Sequence, residues 1–177
     1  MGCYKITQHR HEDSRGYFDR KFSYQEFFKD GLEANWVQSN VSWNEIAGTI
    51  RGLHYQAEPN SEVKLVTCLS GAIFDVFVDL RPESESYLQH DSYVLTSDLN
   101  ESLYLPKGIA HGYQSLLDST YVNYLVTTPY SPESARGYSY LDPTFSIKWP
   151  LACTQISKAD LNWPRFQSPA SKSENRN

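Results

Sequence analysis

The 177-residue chain has little of what would mark several common classes of protein. It has three cysteines, Cys3, Cys68 and Cys153, an odd number without metal-ligand spacing. They read as incidental thiols in a reducing compartment rather than as a disulfide framework. No charged-then-apolar leader opens the sequence, and no apolar run approaches the ~20 residues of a membrane span, so a cytoplasmic protein is expected. Basic clusters are also missing. Apart from the adjacent Arg20 and Lys21, Lys and Arg are scattered singly, and the net charge is −5, with a pI of about 5.5. A duplex or an anionic membrane surface calls for a basic stripe, so neither nucleic acid nor membrane is expected as a partner. Internal repeats and interdomain linkers are lacking as well. The length suits one domain over residues 1–167, followed by the polar stretch "SPASKSENRN" at 168–177, expected to be a disordered tail.

Aromatic residues are plentiful at 14%, with thirteen Tyr, and suit pleated surfaces and the mouths of small barrels. The short runs "KLVTCLS", "GAIFDVFVDL", "DSYVLT", "LYLP" and "TYVNYLVTTPY" have strand composition and are bounded by Gly, Pro, Asn, Asp or Ser. Within "IFDVFVDL" one face is wholly apolar, while the other carries Asp75 and Asp79, expected to be solvated or hydrogen-bonded. Residues 23–32 predict an early helix with Ser23 as cap and Gly31 as stop, and a second short helix is expected to start at Ser157. The fold class is all-β, a double-sheet jelly roll or small barrel with few helices.

The stretch "GTIRGLHYQAEP", residues 48–59, places an imidazole in a strand interior. Strand alternation puts Arg51, Leu53 and Tyr55 on one face and Gly52, His54 and Gln56 on the other. Jelly rolls include the cupins, whose metal site combines histidines from two strand pairs. "LPKGIAHG", with His111, matches half of that pattern, but Gln56 stands where a second imidazole would be needed. His54 and His111, with Glu62, make a thin ligand set, so no metal is expected. Lys64, ten residues on, has a spacing that permits an adjoining strand across a turn at "AEPN". Lys64, Tyr124, Tyr130 and Asp160 each have an ordinary reading as solvated or packing residues. The residues alone support a pocket around a base-like histidine and stop short of a reaction.

Taken together, "DSRGYF", "WVQSNVS", "GTIRGLHYQ", "KLV", "GAIFDVFVDLR", "LPKGIAHG", "YLVTTPY", "LDP", "IKWP" and "SKAD", in that order from Asp13 to Asp160, resemble the dTDP-4-dehydrorhamnose 3,5-epimerase family. The resemblance implies a cupin-like double-stranded β-helix acting without cofactor as a homodimer. It implies a nucleotide-linked 4-keto-6-deoxyhexose as substrate, with inversion at C3 and C5 in deoxysugar biosynthesis. His54 matches the general base, Asp160 its carboxylate partner, Lys64 the cation on the enolate oxygen and Tyr124 the proton donor of the opposite face. Arg15, Arg51 and His111 match diphosphate contacts, Gln38 and Asn40 match polar positions near the sugar, and Phe18 and Tyr130 match the aromatics around the base. In this family Arg15 and Phe18 can reach across the dimer interface to complete the partner's site.

Two positions depart from the pattern. Arg20 stands where many members carry a Glu able to accept the thymine imide N–H, which makes CDP- or GDP-linked sugars an alternative. Ala135 stands where Glu is common. Members with this same catalytic set invert one centre only, so a 3- or 5-epimerase is a second reading. A metal-binding or non-catalytic cupin module is the reading of another class.

Overall fold

The structure is a computed structural model that describes residues 1–167; the expected tail at 168–177 lies outside the described residues. Two antiparallel sheets face each other, with strands numbered along the chain. The first runs, in spatial order, Tyr4–Thr7 (β1), Glu101–Leu105 (β9), Lys64–Ser70 (β6), Thr120–Val126 (β11) and Gln38–Asn44 (β4). The second runs Ala135–Gly137 (β12), Thr49–Gln56 (β5), Ile109–Ser115 (β10), Ala72–Asp79 (β7) and His90–Thr96 (β8). Gln155–Ile156 (β13) pairs in parallel with the start of β5, so two short strands cover that strand's free edge. This is the expected jelly-roll arrangement. The hairpin of Arg10–Asp13 (β2) and Gly16–Asp19 (β3) forms a small separate sheet.

The inner faces are graded from dry to polar. Val66 and Cys68 of β6, Ile73 and Phe77 of β7, Leu95 of β8 and Leu103 and Leu105 of β9 close an apolar core between the sheets. Towards β4 and β5 the same inner surface becomes polar. Ser42 and Asn44 of β4 hydrogen-bond across to the Tyr113 hydroxyl of β10, and the Arg51 guanidinium donates to Asn44 Oδ1 at 2.8 Å. The sandwich is therefore sealed by hydrophobic burial on one side and left hollow on the other.

Several expectations change in detail. The first helix is shorter than expected, Tyr24–Lys29 (α1). Ser23 sits at its N-cap without a side-chain capping bond, and Gly31 follows with a positive φ. The second, Lys158–Leu161 (α2), is capped by Ser157, whose hydroxyl accepts the Asp160 N–H at 3.0 Å. The run at 120–130 stops pairing at Val126, and the remainder forms a loop ending at Tyr130. Of the two alternatives for Asp75 and Asp79, the hydrogen-bonded one holds: both are fully buried, against His111 and against Arg81, Ser84 and Ser86. No helix among the described residues is long and apolar enough to cross a membrane.

Candidate active site

The polar end of the sandwich opens into a cavity of about 1190 Å³. That exceeds the roughly 300–1,000 Å³ of sites for drug-sized ligands, and so suits an extended ligand. His54, Lys64, Tyr124 and Asp160 all line it, as do Gln38, Asn40, Arg51, His111 and Tyr130. Strands from both sheets, one helix and one loop thus converge on a single space. Arg15 and Phe18 do not join them. Both lie on the β2–β3 hairpin, where the Arg15 side chain is 87% exposed and paired with Asp13, its neighbour two residues back.

Arg51 shares the cavity with His54 because β5 is bulged. Its register with β10 pairs His54 with His111 and Arg51 with Tyr113, so that Gly52 and Leu53 together oppose the single residue Gly112. The extra residue shifts the alternation by one, so Arg51 and His54 lie on the same face and not on opposite faces as regular alternation predicts. Gly52 makes the bulge possible. Its φ is +112°, and a Cβ there would lie 2.6 Å from Gly112 Cα and 2.7 Å from the His111 carbonyl oxygen. The displaced Leu53 side chain is completely buried against Val76 and Val78.

Asp160 reaches His54 from the first turn of α2. The imidazole Nε2–H donates to Asp160 Oδ1 at 2.5 Å, and the Gly52 amide donates to Oδ2 at 3.4 Å. A carboxylate can only accept, so the proton sits on Nε2 and the lone pair on Nδ1. Burial works against ionisation of Asp160, but the hydrogen bond and charge of His54, with the Gly52 amide and Ser157, hold it below the usual carboxylate range. The His54 side chain keeps 42% of its surface exposed, so the ring is open to a ligand. Trp163 packs edge-on to it, with ring centroids 6.2 Å apart.

Lys64 does not lie on a strand adjoining His54. Residues 57–63 carry the chain from one sheet to the other, so that His54 and Lys64 line the cavity from different sheets. Its Nζ pairs with Glu62 Oε1 at 3.0 Å and donates to the His54 carbonyl oxygen at 3.4 Å. Tyr124 lies beside it on β11. Burial raises its phenol above the ordinary tyrosine range against the pull of Arg51, which keeps it in the protonated form that can donate. On the His54 side of the second sheet, His111 Nε2 and Asp75 Oδ2 share a hydrogen bond at 2.8 Å. Burial pushes the Asp75 carboxyl above the usual range despite the opposing charges of His111 and Lys64. Gln38 accepts the Tyr130 amide at 2.8 Å and so holds the loop that carries that aromatic.

Ser42, Asn44, Tyr113, Asp75 and Trp163 also belong to this site, and sequence reasoning misses them. For four of them a period-two signal is present. Ser42 and Asn44 continue the alternation of Gln38 and Asn40, Tyr113 lies two residues from His111, and Asp75 faces inward on β7. Trp163 carries no such signal. Among the described residues no three His, Cys, Asp or Glu side chains gather to hold a metal ion, and Gln56 is committed to Glu62 and to backbone groups.

A family model described as dTDP-4-dehydrorhamnose 3,5-epimerase matches residues 1–168. A dTDP-4-dehydrorhamnose 3,5-epimerase from Sinorhizobium fredii is 40% identical over 160 residues, covering 90% of this chain and 82% of that protein. A dTDP-4-dehydrorhamnose 3-epimerase from Streptomyces niveus is 33% identical over 160 residues, covering 90% and 77%. The crystal structure of dTDP-4-dehydrorhamnose 3,5-epimerase from Bacillus anthracis, with TDP and PPi bound, is similar with a TM-score of 0.91 at 35% identity, covering 93% of this chain and 94% of that one.

Proposed function

This chain belongs to the dTDP-4-dehydrorhamnose 3,5-epimerase family, and we propose that it converts dTDP-4-dehydro-6-deoxyglucose to dTDP-4-dehydrorhamnose without a cofactor. The observation that carries the reading is the meeting of a carboxylate-held imidazole, an ammonium and a protonated phenol in one large cavity.

A C–H bond beside a ketone is a weak acid until the charge arriving on oxygen meets a fixed donor. His54 Nδ1 takes the proton from C3, the bonding pair moves into the C3–C4 bond, and the C4 carbonyl pair moves onto oxygen. The Lys64 ammonium donates to that oxygen. Tyr124 then returns a proton to the carbon from the opposite face as the oxygen pair re-forms the C4 carbonyl; solvent reprotonates its phenolate and takes the proton from the His54 imidazolium. The same cycle at C5 inverts the second centre. Asp160 stabilises the imidazolium that forms and fixes the tautomer.

In this reading Arg51 and His111 bind the diphosphate, Gln38 and Asn40 the sugar, and Tyr130 stacks on the base. Arg15 and Phe18 serve the site of a partner subunit in a homodimer. Their distance from the cavity supports that assignment, as do the exposed apolar side chains Val41, Trp43 and Tyr121 on the outer face of β4 and β11. Light scattering showing a monomer at working concentration would remove it. The free thiols of Cys3, Cys68 and Cys153 suit a reducing, cytoplasmic setting.

The test is incubation with dTDP-4-dehydro-6-deoxyglucose in deuterated water, followed by NMR at C3 and C5. Two incorporated deuterons are expected, and no incorporation overturns the reading. The second reading, a single-centre epimerase, is favoured by the relative named as a 3-epimerase; it predicts one deuteron. Arg20 is exposed, and the adjacent Asp19 is committed to Arg10 and Lys21. Faster turnover of a matched CDP-sugar would assign nucleotide choice to this hairpin. Strong dTDP preference would withdraw the argument from Arg20.

A further inference from the structure

We propose that Glu62 is a positioning residue for Lys64, and that Gln56 holds Glu62 in place for that purpose. The proposal rests on the epimerase reading and asks how its enolate-stabilising cation is aimed.

The Lys64–Glu62 pair is largely withdrawn from water, with 11% of the lysine side chain and 10% of the glutamate side chain exposed. A lysine stem carries several rotatable bonds, and its ammonium is a strongly hydrated point charge. A buried ammonium without a counter-charge is costly, and one without fixed partners has no defined direction. Lys64 has both. Glu62 Oε1 at 3.0 Å and the His54 carbonyl oxygen at 3.4 Å take two of its N–H donors. An ammonium has three, so one remains for a ligand in the cavity that Lys64 lines. The second of these anchors belongs to the residue that carries the base, so ammonium and imidazole are set relative to each other through one backbone group.

Glu62 is itself tied down. Gln56 Nε2 donates to Glu62 Oε2 at 2.6 Å and also approaches the carbonyl oxygens of Asn60 and Pro129. Gln56 Oε1 accepts the Ser131 amide at 2.6 Å. The glutamine is buried and bridges the crossover loop at 57–63 and the loop that carries Tyr130. The position at which a metal cupin would present an imidazole here carries an amide that organises a lysine. Hydrogen bonds at both Glu62 oxygens leave that carboxylate with one direction to face. This second layer supports the reacting group without touching the substrate.

The test is a double-mutant cycle read by deuterium exchange on the dTDP-4-keto sugar, with melting temperature as a check on folding. Glu62→Gln keeps the shape and removes the charge. It is expected to lower kcat for exchange by about 10- to 100-fold with KM changed less than about threefold. In a Lys64→Ala background the same substitution is expected to cost nothing more, because the group it positions is gone. Gln56→Leu is expected to lower kcat in the same direction by a smaller factor. Unchanged kcat in Glu62→Gln, a loss confined to KM, or an equal further loss in the Lys64→Ala background each overturns the proposal while wild-type exchange leaves the epimerase reading in place. Absence of exchange in the wild-type protein overturns both.

Discussion

His54 and His111 are register partners across β5 and β10, and the ring Nε2 of each is hydrogen-bonded to an aspartate, at 2.5 Å to Asp160 and at 2.8 Å to Asp75. Their surroundings differ. The His54 side chain is 42% exposed and its carboxylate is held below the usual range by its partners. The His111 side chain is 10% exposed, and Asp75 is fully buried with its carboxyl pushed above that range. Asp75 Oδ1 also lacks any hydrogen-bond partner among the described residues. The same two residue types therefore make two different devices. An imidazole that must accept a proton and release it again needs an open face and a partner that stays ionised. An imidazole that only presents a ring N–H to an anion can sit deep, on a carboxyl reluctant to carry charge, whose proton directed at Nε2 leaves the ring N–H on Nδ1. Burial and supporting donors separate these roles, and residue identity does not.

The comparison breaks most sharply at the rings. His54→Ala is expected to reduce exchange at C3 by about 10²–10⁴-fold, the usual worth of a positioned base, with substrate affinity little changed. Isotope incorporation under single-turnover conditions checks it, and retained exchange would show that the open pair is not the base. Asp160→Asn comes next. The amide can donate to Nε2 and so favours the tautomer that blocks Nδ1; kcat is expected to fall about 10²-fold with KM nearly constant. His111→Ala should behave in the opposite sense. It is expected to raise KM by about 10- to 100-fold, the worth of a lost charge-assisted contact, while exchange at saturating substrate stays within a few-fold of wild type. Equal loss of kcat in the His54 and His111 variants would erase the distinction.

Much of this contrast is legible in the amino-acid sequence, and the illegible part has a physical pattern. Alternation locates the central strands and places His54 in one of them, and Ser157 is recognisable as the cap that brings Asp160 to its position. Those are local signals. The sides of residues 51 and 54 come out wrong because a bulge shifts the phase, and only the register with Gly112 on another strand reveals it. Asp75 reads as either solvated or hydrogen-bonded, and the choice stays open because alternation says which residues share a face and not which face is covered. The spacing of Lys64 permits a neighbouring strand that the fold does not use, for a similar reason. Ten residues suffice equally for a turn within one sheet or a crossing between two, and sheet assignment depends on pairings distant in sequence. Gln56 reads only as a missing ligand, since its partners Pro129 and Ser131 lie more than seventy residues away.

The smallest effect expected is in stability, and there the two carboxylates should carry opposite signs. The folded-state value of Asp160 lies below its unfolded value of about 3.9, so its contribution is present above that value and is lost as pH falls through the folded value. Asp75 is raised, so its contribution is present below about 3.9 and is lost as pH climbs through the folded value. Asp160→Asn should therefore cost most near neutral pH, with the gap to wild type closing in acid. Asp75→Asn should cost most in acid, with the gap shrinking or reversing as pH rises above about 3.9, because there the unfolded chain ionises this carboxyl more readily than the folded one. Thermal melts of the three proteins from about pH 3.5 to 7 test this directly. If both gaps move in the same direction, the two pairs share one electrostatic design, and the separation of base from binder proposed for them must come from exposure alone.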